Sequence, residues 1–556
     1  MVHTNLVDTQ GETVMLPIAV RLLSQSPLRR RLGSFRLLAW LGLVATSMAA
    51  YASVPTPSVS IPPAGTHGFP FLTSSIDLAR FGYGEQEFLI SGTAQAFVNS
   101  GTLGNDGVWN VSPGATAPYV TRILVRKPLD PARFNGTVVV EWLNVTGGID
   151  AEPEWDYEHV ELLRAGYAWV GVTAQFVGAE FLPAFDSTRY ATISHPGDSW
   201  SYDIFSQAGM AVLYGTPQPL GNLTHRVHTL LAEGESQSAF RMLTYYNAIQ
   251  PLAHIYQGVL IHSTGTGAAL SQSFAGGGLG VPEIPAPPGV PATPDIAVPP
   301  TAFIRGDLTQ PVLFFNTETD ITVLGAGFSV HNQPDSRTFR MWELAGTTHA
   351  DAYLLQFAGE DAAKSGLAVP PFNCGNPPIN NGPETFGVRT ALRALARWTR
   401  NPEQSPPIGP RFAVQIVTSP EPAAVIERDP NTGNAIGGIR LPPLAVPIET
   451  LTGIRPPAAV AVNPNCELFG AASPWDGSSD AWDGVPGLDP APSPPPSLEV
   501  LYGTKLNYLI QYGFAAGRSV FEGFLLPEDT QEMIGLAEAA SVPKGSASNA
   551  SIIPNP

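Results

Sequence analysis

Cysteine is scarce in this sequence of 556 residues, which contains only Cys374 and Cys466. Two isolated cysteines with no histidine close to them in sequence cannot supply the four ligands of a structural zinc site, so we predict no metal centre. The glycine run 276–278 lacks the following lysine and serine or threonine of a phosphate-binding loop. We therefore predict no cofactor.

Basic residues are also few: 29 lysines and arginines stand against 47 aspartates and glutamates, for a net charge of -18. Such a surface repels phosphate backbones, which excludes nucleic acid as an expected partner. Charged residues make up only 14% of the chain and apolar residues 44%, so a large hydrophobic core is available. The acidity does not select a substrate.

Long apolar runs are rare, and the only clear one lies near the N-terminus. Basic residues at 29–31 and 36 precede the apolar run 37–50, and Ala50-Tyr51-Ala52 at its end forms a small-x-small cleavage pattern. This order is typical of a signal peptide over 1–52 with cleavage before Ser53, although translation could start at Met15. An uncleaved membrane anchor is the alternative. We expect a secreted or periplasmic protein with no stable membrane insertion after cleavage.

Both cysteines lie in the part predicted to be exported, where disulfides persist, so we expect a Cys374–Cys466 bridge. Residues 53–80 are rich in proline and serine and are expected to form an exposed lead-in.

Strand-like and helix-like segments alternate from residue 81 onward. The expected strands are 87–97, 117–128, 135–145, 167–175, 228–232, 256–264, 310–318 and 338–346. The expected helices are 155–165, one from about 200, 239–248, 384–400 and a helical region over about 506–540. This alternation predicts the α/β class, with a mostly parallel central sheet and helices on both of its faces. We expect one domain over 81–556, with a cap or lid insertion at about 265–309 and a C-terminal extension at about 352–556.

One serine lies in a pattern that carries chemistry. Gly234-Glu235-Ser236-Gln237-Ser238 places it between small residues, after a predicted strand and before a predicted helix. A strained turn of this kind exposes a nucleophilic hydroxyl at the end of a sheet, and the helix N-terminus favours developing negative charge. Ser236 is the predicted nucleophile; the alternative is an ordinary strand-to-helix turn that happens to contain serine.

A nucleophilic serine needs a base and an acid, which in such sheets follow it in the order acid, then histidine. His349 lies just after the last predicted strand and is favoured over His331, which lies in a polar connection. The acid is expected in the segment 314–320, after the preceding strand, where Asp320 is favoured and Glu318 is the alternative.

An oxyanion hole needs two backbone N–H donors. One is expected from Gln237, directly after the nucleophile, and the other from Val145, in a loop where Gly147 and Gly148 permit close backbone approach. An ordinary strand-to-helix turn is the alternative interpretation of that loop.

Six motifs together resemble the exported alpha/beta hydrolase domain proteins of bacteria. They are EWLNVTGG (141–148), SHPGDSWSYDIFSQAG (194–209), GESQSAFRM (234–242), TETD (317–320), AGTTHAD (345–351) and GGIRLPP (437–443). The resemblance spans most of residues 80–540. It implies an α/β-hydrolase fold, a catalytic triad of Ser236, Asp320 and His349, and a C-terminal segment that belongs to the same unit.

These patterns predict a secreted serine hydrolase that cleaves small-molecule or polymeric carboxylic esters through an acyl-enzyme on Ser236. Peptidase, lactonase or acyltransferase activity at the same residues is the first alternative, because one triad serves all of these reactions. A non-enzymatic exported binding protein is the second. The sequence does not specify the acyl group, the alcohol or the oligomeric state.

Overall fold

The structure, a computed structural model, describes residues 53–265, 296, 298, 299, 301–368, 372–418, 422–456, 460, 463–475 and 497–540. The predicted signal peptide and most of the predicted cap insertion lie outside the described residues. Within the described part of the chain, no helix is long and apolar enough to cross a membrane.

The described residues contain a nine-stranded sheet and two small hairpins. The sheet strands are β1 (Ser58–Ser60), β2 (Tyr83–Asn99), β3 (Val111–Pro128), β4 (Thr137–Trp142), β5 (Ala168–Val172), β6 (Thr229–Glu235), β7 (Gly258–His262), β8 (Val312–Asn316) and β9 (Phe339–Glu343). The hairpins pair β10 (Val414–Val417) with β11 (Ala423–Ile426), and β12 (Glu449–Thr452) with β13 (Ala471–Pro474).

The strand order is β1-β2-β3-β5-β4-β6-β7-β8-β9. The strands β5, β4, β6, β7, β8 and β9 are parallel to one another, whereas β1, β2 and β3 form an antiparallel edge. Every residue of β4 to β8 is buried, as expected for parallel strands covered on both faces. The predicted mostly parallel sheet is confirmed.

Twelve α-helices are described. They are α1 (Pro153–Ala165), α2 (Phe176–Phe185), α3 (Ser201–Tyr214), α4 (Gln237–Thr244), α5 (Gln250–Ala253), α6 (Glu318–Thr322), α7 (Ala352–Lys364), α8 (Glu384–Arg400), α9 (Pro442–Ala445), α10 (Leu498–Tyr502), α11 (Lys505–Glu522) and α12 (Thr530–Ala539). The predicted helix 384–400 matches α8. The predicted helix 239–248 begins two residues earlier, at Gln237, and continues past α4 as a π-helical turn over Tyr245–Ile249.

Two adjacent residues of β4 show that helices cover both faces of the sheet. Glu141 accepts hydrogen bonds from the backbone N–H groups of Glu154 and Trp155 in α1, at 3.1 Å each. Trp142 packs its ring against Tyr202 of α3. Because successive side chains of a strand point to opposite faces, α1 and α3 lie on opposite sides of the sheet.

The lead-in at 53–80 has many exposed residues but also contacts the sheet. Its residues 58–60 form the edge strand β1, and Phe71 and Leu72 are buried. The carbonyl oxygens of Phe71 and Leu72 accept hydrogen bonds of 2.6 Å from Arg122 and Arg126, two guanidinium groups buried in β3. Burying a guanidinium group is unfavourable unless it is hydrogen-bonded, so these two hydrogen bonds hold the segment against the sheet.

The C-terminal segment contacts the sheet region at several points. Leu344, just after β9, pairs with Ile439, and Trp342 of β9 packs against Phe524. Cys374 and Cys466 form a disulfide, which confirms the predicted bridge.

Candidate active site

Ser236 lies in the sharp turn between β6 and α4. Its backbone has φ 58° and ψ -122°, a conformation that is strained for a residue with a side chain. The turn is held by the Ser236 N–H, which donates to the His262 carbonyl of β7 at 3.0 Å. A Cβ atom at Gly234 would lie 3.0 Å from the Ser238 backbone, which explains why a small residue precedes the turn. The turn is tighter than predicted, because β6 continues to Glu235.

The structure brings Ser236, His349 and Asp320 together. Ser236 Oγ lies 2.7 Å from His349 Nε2, and His349 Nδ1 lies 2.8 Å from Asp320 Oδ1. A carboxylate oxygen accepts hydrogen bonds, so this contact favours the proton on Nδ1 and leaves Nε2 to accept from the serine hydroxyl. All three side chains are buried, and Ser236 and His349 meet although they are 113 residues apart in the sequence.

Asp320 is fixed by the first turn of α6. Its Oδ2 accepts from the backbone N–H of Thr317 at 2.7 Å and from the Thr317 hydroxyl at 2.8 Å. Thr317 in turn caps the helix by accepting from the Asp320 N–H, which completes a reciprocal capping box. One carboxylate oxygen is therefore occupied by the cap, and the other is directed at His349.

Glu318, the competing acid, is engaged elsewhere. Its Oε1 accepts from the Gly346 N–H at 2.7 Å, and its Oε2 accepts from Arg428 at 2.9 Å and from the Gly453 N–H at 3.0 Å. Glu318 and Arg428 are both completely buried. This carboxylate ties the C-terminal segment to the sheet and makes no contact with His349 among the described residues.

His331, the competing base, faces a different partner. Its Nδ1 lies 2.7 Å from Glu343 Oε1 at the end of β9. No hydrogen bond among the described residues connects His331 to Ser236. The geometry thus favours His349 over His331 and Asp320 over Glu318.

The two predicted oxyanion donors come from segments that are linked to each other. Asn144 Nδ2 donates to the Glu235 carbonyl at 3.1 Å, which fastens the loop after β4 to the turn containing Ser236. Val145, the next residue in this loop, is buried, and its carbonyl accepts from Gly148 at 2.9 Å. Gln237 is the first residue of α4, so its N–H has no carbonyl partner within that helix.

Glu235 was not predicted to be a site residue, but its buried carboxyl lies beside His349. Its Oε1 lies 3.7 Å from His349 Nε2, and its Oε2 accepts from Asn144 at 3.3 Å. Burial raises the pKa of Glu235 well above its ordinary value, which favours the neutral form of this carboxyl. Asp320 makes the shorter carboxyl contact with the His349 ring, at 2.8 Å against 3.7 Å for Glu235.

Further buried acidic groups lie beneath the turn. The His262 ring sits between Glu154 Oε2 at 3.2 Å and Glu384 Oε1 at 3.3 Å. Burial alone would lower the pKa of His262, but these two neighbours raise it well above its ordinary value. Three further buried carboxyls, at the start of α1 and on α7, have oxygen atoms within 4.8 Å of one another: Glu152, Asp156 and Asp361. Arg126 bonds Glu152 at 2.8 Å and supplies the neighbouring positive charge.

Comparisons with solved structures reveal distant likeness only. A dienelactone hydrolase from Anabaena variabilis shares 13% identity over 44% of this chain and 88% of its own, with a TM-score of 0.25. The protein XC6422 from Xanthomonas campestris, described as an a/b serine hydrolase without lid, shares 12% identity over 50% of this chain and 97% of its own, with a TM-score of 0.24. A carboxylesterase from Lactobacillus plantarum shares 13% identity over 41% of this chain and 72% of its own, with a TM-score of 0.22.

No curated protein sequence matches the chain. The model of one protein family, however, matches residues 54–535, nearly the whole of the chain that follows the predicted signal peptide. The match includes the sheet, the turn at Ser236 and most of the C-terminal segment. It confirms the predicted α/β-hydrolase fold, and the chain belongs to the alpha/beta hydrolase domain family.

Proposed function

We propose that this protein is a serine hydrolase that cleaves carboxylic esters through an acyl-enzyme on Ser236. The observation that carries the proposal is the continuous hydrogen-bonded line from Ser236 Oγ through the His349 ring to Asp320, with steps of 2.7 and 2.8 Å. A serine hydroxyl is a weak nucleophile by itself and requires a base in contact with it. Membership of a hydrolase family agrees with this arrangement.

In the first half-reaction, Ser236 Oγ attacks the acyl carbonyl carbon while His349 Nε2 takes the hydroxyl proton. The tetrahedral oxyanion accepts hydrogen bonds from the backbone N–H groups of Gln237 and Val145. The ester C–O bond then breaks, and His349 returns its proton to the leaving alcohol. Asp320 stabilises the imidazolium that forms in between.

In the second half-reaction, water attacks the acyl-enzyme. His349 takes a proton from the water, and the carboxylic acid leaves as the Ser236 Oγ–acyl bond breaks and the serine regains its proton. The protein is unchanged after one ester and one water have become one acid and one alcohol.

A panel of p-nitrophenyl esters and matched p-nitroanilides tests the reaction class. We expect turnover of esters by the wild type and a loss of about 10⁴-fold or more in Ser236→Ala and His349→Gln. Rapid cleavage of the anilides would favour a peptidase, and transfer of the acyl group to an added alcohol in preference to water would favour an acyltransferase. Full ester turnover by Ser236→Ala would contradict the proposal.

We also propose that the chain is exported and cleaved before Ser53. The disulfide supports this, because such bonds persist in oxidising compartments and are rare in the cytosol. N-terminal sequencing of protein recovered from the periplasm or the medium should begin at Ser53. Recovery only from the cytosol, with the first 52 residues intact, would contradict export.

A further inference from the structure

Two buried threonines lie directly beside the acid and the base of the proposed triad. Thr319 precedes Asp320 in α6, and Thr348 precedes His349 in the loop after β9. Both threonines are completely buried. Their hydroxyl oxygens lie 2.8 Å apart, within hydrogen-bonding distance. The segments that carry Asp320 and His349 are therefore joined through the triad itself and also through the residues that precede it.

The position of His349 relative to Asp320 depends on how the histidine loop sits against α6. The capping box fixes Asp320 within α6 only. Glu318 reaches across to the Gly346 N–H, but Gly346 lies three residues before His349. The contact between the two threonines is one residue from both triad members, so it constrains the separation of Asp320 and His349 more closely.

The histidine loop is anchored on the C-terminal segment through Leu468. Thr348 donates its hydroxyl proton to the Leu468 carbonyl at 2.8 Å, and the same carbonyl accepts from the Ala350 N–H at 3.2 Å. One carbonyl oxygen therefore holds the residues on both sides of His349. Leu468 itself follows Cys466 by two residues, and the disulfide at Cys466 ties this part of the chain down.

The hairpin of β12 and β13 supplies the anchor for Thr319. Its hydroxyl carries one proton, which it can donate to Thr348 or to the Gly453 carbonyl, 2.7 Å away. Gly453 directly follows β12 and Gly470 directly precedes β13, so the two glycines lie at the same end of the hairpin. A Cβ atom at Gly453 would lie 2.8 Å from Thr319 Oγ1, and one at Gly470 would lie 2.7 Å from Thr348 Oγ1. Glycine at both positions thus lets the hairpin backbone approach the two hydroxyl groups.

We propose that Thr319 and Thr348 are positioning residues, which hold Asp320 and His349 at the separation that catalysis requires and fasten the triad to the C-terminal hairpin. This inference rests on the proposed hydrolase function. Displacing a catalytic group by about 1 Å can lower a rate about 100-fold, so a contact one residue from the triad can affect kcat without touching the substrate.

Substitution of Thr348 in the full mature protein tests the positioning role. Thr348→Val keeps the shape of the side chain and removes the hydroxyl, while the Leu468 carbonyl retains the Ala350 N–H. We expect its kcat on a p-nitrophenyl ester to fall about 10- to 100-fold with KM within about twofold, because the hydroxyl positions His349 and does not bind substrate. Thr348→Ser keeps the hydroxyl and should restore kcat to near the wild-type value. Thr319→Val should show the same separation of kcat from KM.

Thr390→Val is the matched control for a general loss of stability. Thr390 is a buried threonine of α8, and its hydroxyl donates to the Phe386 carbonyl at 2.7 Å. This variant loses the same kind of hydrogen bond outside α6 and the histidine loop, so it should keep the wild-type kcat per folded molecule. A wild-type kcat in folded Thr348→Val, or a loss in Thr348→Ser as large as that in Thr348→Val, would overturn the proposal.

Proton NMR of the His349 Nδ1–H separates the positioning role from the proposed reaction, because it needs no substrate. The far-downfield signal of this proton, identified by its absence in His349→Gln, should persist in Thr348→Ser and Thr390→Val and should shift or broaden in Thr348→Val. An unchanged signal in Thr348→Val would overturn the positioning role, whether or not the protein hydrolyses esters. Full ester turnover by Ser236→Ala would instead contradict the proposed function, and the NMR signal would still decide whether the threonines position His349.

Discussion

The roles of Asp320 and Glu318 can be separated by two isosteric substitutions in the same turn of α6. Asp320→Asn keeps an oxygen that can accept from Thr317 but removes the charge that faces His349 at 2.8 Å. Glu318→Gln instead removes the charge that pairs with buried Arg428. The two residues lie two positions apart, so the variants are closely matched controls for each other.

The two substitutions should change different quantities, the first kcat and the second the folding stability. Loss of the triad carboxylate costs about 10⁴-fold in kcat, or about 5 kcal/mol of transition-state stabilisation. Breaking a buried ion pair by removing one partner costs about 3–5 kcal/mol of folding stability. We therefore expect Asp320→Asn to be folded and inactive, and Glu318→Gln to be destabilised with nearly normal kcat in the folded fraction.

Steady-state hydrolysis of a p-nitrophenyl ester, measured beside thermal unfolding by circular dichroism, gives both quantities on one preparation. The opposite pattern would refute the assignment of the acid. In that pattern, Glu318→Gln loses about 10⁴-fold in kcat at an unchanged melting temperature, while Asp320→Asn remains active.

Three further predictions follow from the buried groups. The Cys374–Cys466 bridge joins residues 92 positions apart, and its reduction should lower the free energy of unfolding by about 4 kcal/mol. The melting temperature should therefore be lower in dithiothreitol. An unchanged melting temperature would contradict a stabilising bridge. Burial, together with nearby carboxyls, raises the pKa of Glu158 well above its ordinary value, so its folded form holds a proton that the unfolded chain releases above about pH 4.3. The melting temperature should accordingly fall as pH rises above that value, and it should fall less steeply in Glu158→Gln. An equal dependence of melting temperature on pH in the wild type and in Glu158→Gln would contradict this role of Glu158. Glu235→Gln should keep kcat within about threefold at pH 7, since burial already favours the neutral carboxyl beside His349; a loss above 100-fold in ester assays would show that the charge is needed.

The sheet and the turn at Ser236 were predictable because their signals are local. Consecutive β-branched residues mark a buried parallel strand, as in β4, and a small-x-serine-x-small pattern between strand and helix marks the sharp turn that carries the serine. Chain order left His331 and His349 as candidate bases, and the position of His349 after the last predicted strand favoured it. The helix boundary at Gln237 was less well predicted, because the structure turns on Ser236 itself and leaves no loop.

The sequence favoured Asp320 as the acid but left Glu318 open. Both follow the same strand, and the partner that engages Glu318 is Arg428, 110 residues further along. The burial of Phe71 and Leu72 within the lead-in could not be predicted for a similar reason. Its proline and serine content indicates exposure, but Arg122 and Arg126 are buried and require the carbonyl groups of Phe71 and Leu72.

The measurement that tests the central claim most directly is the site of reaction with a fluorophosphonate probe. The folded protein should gain one adduct, located on Ser236 by peptide mass spectrometry, and heat-unfolded protein or His349→Gln should react far more slowly. Absence of an adduct from folded protein, or an adduct on another residue with Ser236 unmodified, would contradict the account.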